Sequence, residues 1–314
     1  MKKFIKVLFV FLLPIQFYVL LILVFKNDFF EINFINYNRS FDSTVKLKNE
    51  KNKPTSFILG NSRSLAVTCE DWIEYLPSNE IPFHFDGSRE NIHQIRKKIE
   101  YLIKSDYDVE KILAVVDYET LNNFKNEGHI YQLHPDVSGD KILFHLNEVK
   151  PFFNIKFISS VVYYFLTEKH LGFMRSYIVK NKPFKNGSFN DLFFLNEFDI
   201  ARDSLGYYSR PAIKKMFKLK RYSKLKDHNR LKFELTKIKE IIDKNKIDFK
   251  LLIVSPYKLN ELGEDYLILV NTIFDHNEVY DFSGSDYKYE QGNFHESSHF
   301  RRKIGQYFLK YIYE

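Results

Sequence analysis

The chain has 314 residues, 45% hydrophobic and 28% charged, with a formal net charge of +7. That apolar fraction excludes an intrinsically disordered tract and supplies one large core or two small ones. The positive charge is interleaved with acidic residues and accompanies no zinc-finger, RNP-type or basic-zipper pattern, which speaks against nucleic acid, and the single cysteine, Cys69, excludes an intrachain disulfide and a cysteine-built metal centre.

At the N-terminus, Lys2, Lys3 and Lys6 precede an uncharged run from Val7 to Phe25. As a helix this run is about 28 Å long, close to the thickness of a bilayer core. It predicts a membrane anchor over residues 1–25 with its N-terminus in the cytoplasm. A cleaved signal peptide is the rival reading, but the apolar stretch is long and no A-x-A-like site follows. Either way the body of the protein lies outside the cytoplasm, in a bacterial periplasm or on the outer face of the inner membrane. Residues 26–53, polar and rich in Asn and Lys, predict a stalk.

Short apolar runs and amphipathic helices then alternate. "TSFILGNSRS" (55–64) reads as a buried strand that breaks at Gly60 and turns into a helix. "IPFHFDGS" (81–88), "EKILAVVDYETL" (110–121), "DFKLLIVSPY" (248–257) and "NEVYDFSG" (277–284) predict four more strands. Ile92, Ile95, Ile99 and Leu102 predict an amphipathic helix over 90–104. A longer helix follows at about 229–246, and Phe300, Ile304, Tyr307, Phe308 and Tyr311 mark a last one. Such alternation predicts an α/β fold of three layers, α/β/α, around a parallel sheet, built from residues 54–121 and 229–314. The segment 122–228 interrupts the alternation and predicts an inserted, mostly helical cap over the sheet's active edge, and the chain's nearest approach to a basic run, at 212–240, reads as a solvated helix face.

Near the C-terminus, "HESSH" (295–299) matches the zinc-protease pattern H-E-x-x-H. The chemistry requires both histidines on one helix face and a third protein ligand. Only fifteen residues follow His299, with no histidine and no acid before Glu314, and Arg301 stands where a buried protease helix is apolar. The same stretch supports a different constellation. Ser62, in a turn after a strand, presents a hydroxyl at the sheet's carboxyl edge. A serine nucleophile needs a histidine base and a carboxylate that holds the imidazole, and His299 with Glu296 on one turn supplies both. Arg63 either binds a substrate carboxylate or phosphate or forms a structural ion pair, and Asp117 fixes the loop after the third strand.

"ILGNSRS" (58–64), "DGSREN" (86–91) and "ESSHF" (296–300) together resemble the SGNH (GDSL-like) hydrolase superfamily, with Asn61 and Glu296 where aspartates are usual. The resemblance implies a Ser62–His299–Glu296 triad, an oxyanion donor in the Gly87 N–H, and a place for the oxyanion asparagine near Asn122. The usual Gly-x-Asn-Asp block is absent after the third strand. With the N-terminal anchor, the pattern resembles the membrane-tethered branch that modifies cell-envelope polymers, as in alginate O-acetylation and teichoic-acid D-alanylation. That branch implies an esterase or O-acyltransferase acting on an envelope glycan, often beside a multi-span membrane acyltransferase, with no cofactor. A catalytically inactive scaffold or glycan-binding component of the same fold is the alternative.

Overall fold

A computed structural model describes residues 39–124, 132–169, 171, 174, 184–217, 227–258 and 263–314. The strands in chain order are β1 (Ser56–Gly60), β2 (Pro82–His84), β3 (Lys111–Val116), β4 (Phe184–Asn186), β5 (Leu192–Phe194), β6 (Asp248–Ile253), β7 (Val279–Asp281), β8 (Phe294–Glu296) and β9 (His299–Phe300). The helices that carry the argument are α1 (Arg39–Asn49), α2 (Ile92–Lys104), α3 (Tyr118–Asn122), α4 (His228–Asn245), α5 (Glu264–Ile273) and α6 (Arg302–Tyr313).

Five strands form one parallel sheet in the order β2-β1-β3-β6-β7, and two antiparallel pairs, β4–β5 and β8–β9, stand apart from it. The fold is therefore α/β, and all five predicted strands belong to the central sheet. Their side chains alternate between two cores, as the period of two requires. Phe57, Leu59, Ile112, Ala114, Leu251 and Ile253 face α2, α4 and α5. Ile58, Leu113, Val115 and Leu252 face Trp72, Phe300, Ile304, Phe308 and Leu309. Both faces are covered, which is why the strands read as unbroken apolar runs rather than as alternating ones. α2 starts at a reciprocal cap between Asn91 and Gln94.

Residues 39–49 depart from the predicted stalk. They form α1, which buries Arg39, Ser40, Ser43, Thr44 and Leu47 along one face. Four of those five are polar, so no apolar periodicity announced the helix. Arg39 is only 2% exposed and holds Asp86 through Nε at 2.7 Å and Asn190 Oδ1 at 2.9 Å.

β1 ends at Gly60 with φ +155°, where a Cβ would stand 2.6 Å from the Val115 carbonyl oxygen of β3. Gly60→Ala is expected to lower stability by about 1–3 kcal/mol, the range for forced overpacking. A denaturation midpoint equal to the parent's would show instead that β3 moves aside at no cost.

Residues 140–169, 171 and 174 belong to a second compact unit. Its helices Lys141–Val149 and Ile155–Thr167 leave Ile142, Leu146, Ile155 and Leu166 exposed. No described helix is long and apolar enough to cross a membrane. The anchor predicted at 1–25 and the first part of the predicted stalk lie outside the described residues.

Candidate active site

The carboxyl ends of β1 and β3 lie side by side where the strand order reverses direction, the position at which open sheets of this order hold ligands. Asn61 shapes the turn that leaves β1. Its Oδ1 accepts from the Arg63 N–H at 2.9 Å, and its Nδ2 donates to Asp117 Oδ1 at 3.1 Å and to Thr120 Oγ1 at 2.9 Å. Asp117, just past β3, caps α3 through the Thr120 N–H at 3.0 Å. The turn enters a single 3-10 turn, Ser64–Ala66, where the sequence suggested a longer helix. Val67 is extended, and Thr68 opens a new short helix by accepting from the Asp71 N–H.

Ser62 Oγ lies 2.8 Å from His299 Nε2, and His299 Nδ1 meets Glu296 Oε1. A carboxylate only accepts, so Nδ1 carries the proton and Nε2 turns its lone pair to the Ser62 hydroxyl. The second Glu296 oxygen accepts from the Ser298 N–H at 3.0 Å. Burial pushes the Glu296 carboxyl up, but the hydrogen bond and charge of His299 and the Ser298 N–H outweigh it and hold the group below its ordinary value. Glu296 and His299 face each other as paired residues of the β8–β9 hairpin, with Ser297 and Ser298 at its tip. Strand pairing, rather than a shared helical turn, brings the two together.

That hairpin also removes the geometry of a zinc-protease helix. His295 Nε2 lies 3.2 Å from Glu197 Oε2, and the Phe194 ring sits 4.9 Å from the imidazoles of both His295 and His299. Residues 184–217, placed by the sequence within the cap, brace the hairpin. Tyr207 and Tyr208 donate their hydroxyls to the His295 and Phe294 carbonyls at 2.8 and 2.7 Å, and Arg301 grips Glu197 Oε1 through Nε at 2.9 Å and Nη2 at 2.6 Å.

Burial pushes the His295 imidazole down from 6.5 to about 4. Between those values the unfolded chain binds a proton that the folded one rejects, so stability is complete above pH 6.5 and falls as the pH drops towards 4. The loss is on the order of 3 kcal/mol, since one pKa unit corresponds to about 1.4 kcal/mol. His295→Gln is expected to flatten this limb when unfolding free energies at pH 7 and pH 4.5 are compared with the parent's. An unaltered acid slope in the variant would assign the loss to other groups.

The remaining residues singled out by sequence occupy different positions. Arg63 is buried and its guanidinium is committed to protein: Nη1 lies 2.6 Å from Asp117 Oδ2, Nη2 3.0 Å from Glu119 Oε2, and Nε donates to the Ser298 carbonyl at 3.1 Å. Of the two readings left open for it, the ion pair is the one observed. Gly87 does not offer its N–H to a ligand, because that group donates to the Gly60 carbonyl at 3.0 Å. The hydrogen-bond ladder beside β1 continues past β2, through Phe85 and then Gly87, and takes up the donor. The absent side chain still matters, since a Cβ at Gly87 would meet Ser40 Oγ at 2.0 Å. Asn122 lies in the last turn of α3 and lines the same cavity as Ser62 and His299, a space of about 850 Å³. Among the described residues nothing accepts from the Ser62 backbone N–H, which leaves it available to an oxyanion.

Sequence reasoning missed a second Ser–His–Asp chain. Ser64 Oγ lies 2.9 Å from His84 Nε2, and His84 Nδ1 lies 2.7 Å from Asp191 Oδ1. All three are buried, so this serine meets no substrate. Asp191 also accepts from the Cys69 and Glu70 N–H groups at 3.0 Å each, tying the start of the short helix Cys69–Trp72 to a residue over a hundred positions on. Cys69, His84 and Asp191 place ligand atoms within 4.8 Å of one another, the one such cluster among the described residues. A metal there would displace the bonds just named, and burial pushes the Cys69 thiol well above its ordinary value.

Comparison with protein families, with curated proteins and with solved structures finds no match to this chain.

Proposed function

We propose that the protein is an SGNH-like serine esterase or O-acyltransferase that works through Ser62, His299 and Glu296. The observation that carries this reading is the contact of Ser62 Oγ with His299 Nε2 at 2.8 Å, with Glu296 on the opposite ring nitrogen. The strand order and helices on both sheet faces are those expected of a three-layer fold of this kind. His299 takes the Ser62 proton as Oγ attacks the acyl carbon. The carbonyl oxygen becomes an oxyanion, met by the Ser62 N–H and by donors near Asn122. Collapse breaks the ester bond, and His299 returns the proton to the departing alcohol oxygen. Water, or an acceptor hydroxyl in the transferase case, then attacks the acyl-enzyme with His299 again as base, and Ser62 is regenerated.

The apolar N-terminal run supports placement of this chemistry outside the cytoplasm, on a domain tethered to the inner membrane. The corresponding substrate is an acylated cell-envelope glycan, with a multi-span membrane acyltransferase as the partner in the transfer reaction. A second reading, a silent scaffold or glycan-binding component, is favoured by one observation: the Gly87 N–H is taken by Gly60. A fluorophosphonate probe separates the two. The esterase reading expects stoichiometric labelling at Ser62, mapped by peptide mass, and no labelling of the folded protein establishes the scaffold.

A further inference from the structure

The cavity in front of Ser62 carries a feature that ester cleavage does not require. Phe124 and Arg230 line it together with Ser62 and His299, and the Arg230 guanidinium lies 4.7 Å from the centre of the Phe124 ring. Among the described residues no carboxylate pairs with that guanidinium. The acids in the same walls are engaged elsewhere. Glu119 holds Arg63 Nη2 at 3.0 Å, Glu90 holds Lys98, and Asp227 accepts from the Arg230 backbone N–H at 3.0 Å as the cap of α4. Arg89 lines the cavity as well, with φ +52°, a left-handed conformation that a non-glycine residue keeps only where its surroundings impose it and that clusters at ligand sites. A guanidinium held over an aromatic ring is anchored there, and its fork of N–H donors suits two-point contact with a carboxylate or a phosphate. The volume of about 850 Å³ lies within the range of small-ligand sites and leaves room for a group beyond the reacting ester.

We infer that this cavity selects esters bearing a carboxylate or a phosphate, held by Arg230 on its Phe124 platform. The inference rests on the catalytic reading of Ser62 for its reaction but not for its binding. The test uses the full chain and three matched aryl acetates: 4-acetoxybenzoate, 4-acetoxyphenyl phosphate and the neutral 4-acetoxybenzamide. The expected result is a kcat/KM for one or both anionic esters at least tenfold above that for the amide. In Arg230→Gln that ratio falls at least tenfold, through KM rather than kcat. The anion that shows the preference identifies the source of the charge. A ratio near one in the parent, or a ratio that survives Arg230→Gln, overturns the inference. Equilibrium binding of the uncleavable 4-acetamidobenzoate and 4-acetamidobenzamide keeps the two readings apart. Preferential binding of the anion without turnover of any ester retains the anion site and removes the esterase, and equal binding with turnover does the reverse.

Discussion

Ser62→Ala is expected to lower the turnover of a simple aryl acetate by three orders of magnitude or more, the usual scale for loss of a nucleophile. Without Oγ no acyl-enzyme forms, and His299 Nε2 loses the partner it holds at 2.8 Å. The residual rate is what the Ser62 N–H and the cavity supply to attack by water. The variant is expected to stay folded, because Oγ makes no hydrogen bond other than the one to His299. Its unfolding free energy is expected within about 0.5 kcal/mol of the parent's. Retention of more than a tenth of the parent rate in a folded variant would remove Ser62 from the mechanism.

Arg63→Met is expected to cost about 3–5 kcal/mol, the scale for stripping one partner from a buried ion pair. Arg63 ties three segments together: Asp117 after β3, Glu119 in α3, and the Ser298 carbonyl between Glu296 and His299. The variant leaves the Asp117 carboxylate buried with its cation gone. The double variant Arg63→Met/Asp117→Asn removes that stranded charge and is expected to recover part of the loss, a coupling that a thermodynamic cycle measures. Turnover is expected to fall as well, because the loop that aims His299 loses a tether. A loss below 1 kcal/mol in denaturant titrations would mean that the ion pair contributes little beyond its own desolvation.

The central sheet was legible because strands buried on both faces must be apolar along their length, as "SFILG" and "KILAVV" are after their first residues, Ser56 and Lys111. α2 was legible by its periodicity, with Ile92, Ile95 and Ile99 one turn apart. The contact of Ser62 with His299 and of His299 with Glu296 was legible because each residue stands next to an element end that sequence can find. α1 was not, because the face it buries is polar and its partners lie far along the chain, as with Arg39 and Asp86. The same holds for the brace on the β8–β9 hairpin. Tyr207 and Tyr208 reach backbone carbonyls 88 and 86 residues away, and no local pattern encodes such bonds. The fate of the Gly87 N–H was hidden for a related reason, since strand pairing beyond the last apolar residue leaves no mark in composition.

Glu296 and His299 follow all the sheet strands in chain order, and His299 stands 237 positions after Ser62. Synthesis from the N-terminus therefore delivers all five sheet strands by Asp281, before Glu296 and His299. The segment that brings them also brings Phe300, Ile304, Phe308 and Leu309, which cover Ile58, Leu113, Val115 and Leu252 on one face of the sheet. A chain interrupted near residue 290 thus lacks Glu296 and His299 and also loses part of the cover over one apolar sheet face, and exposed apolar surface is what proteases and chaperones act on.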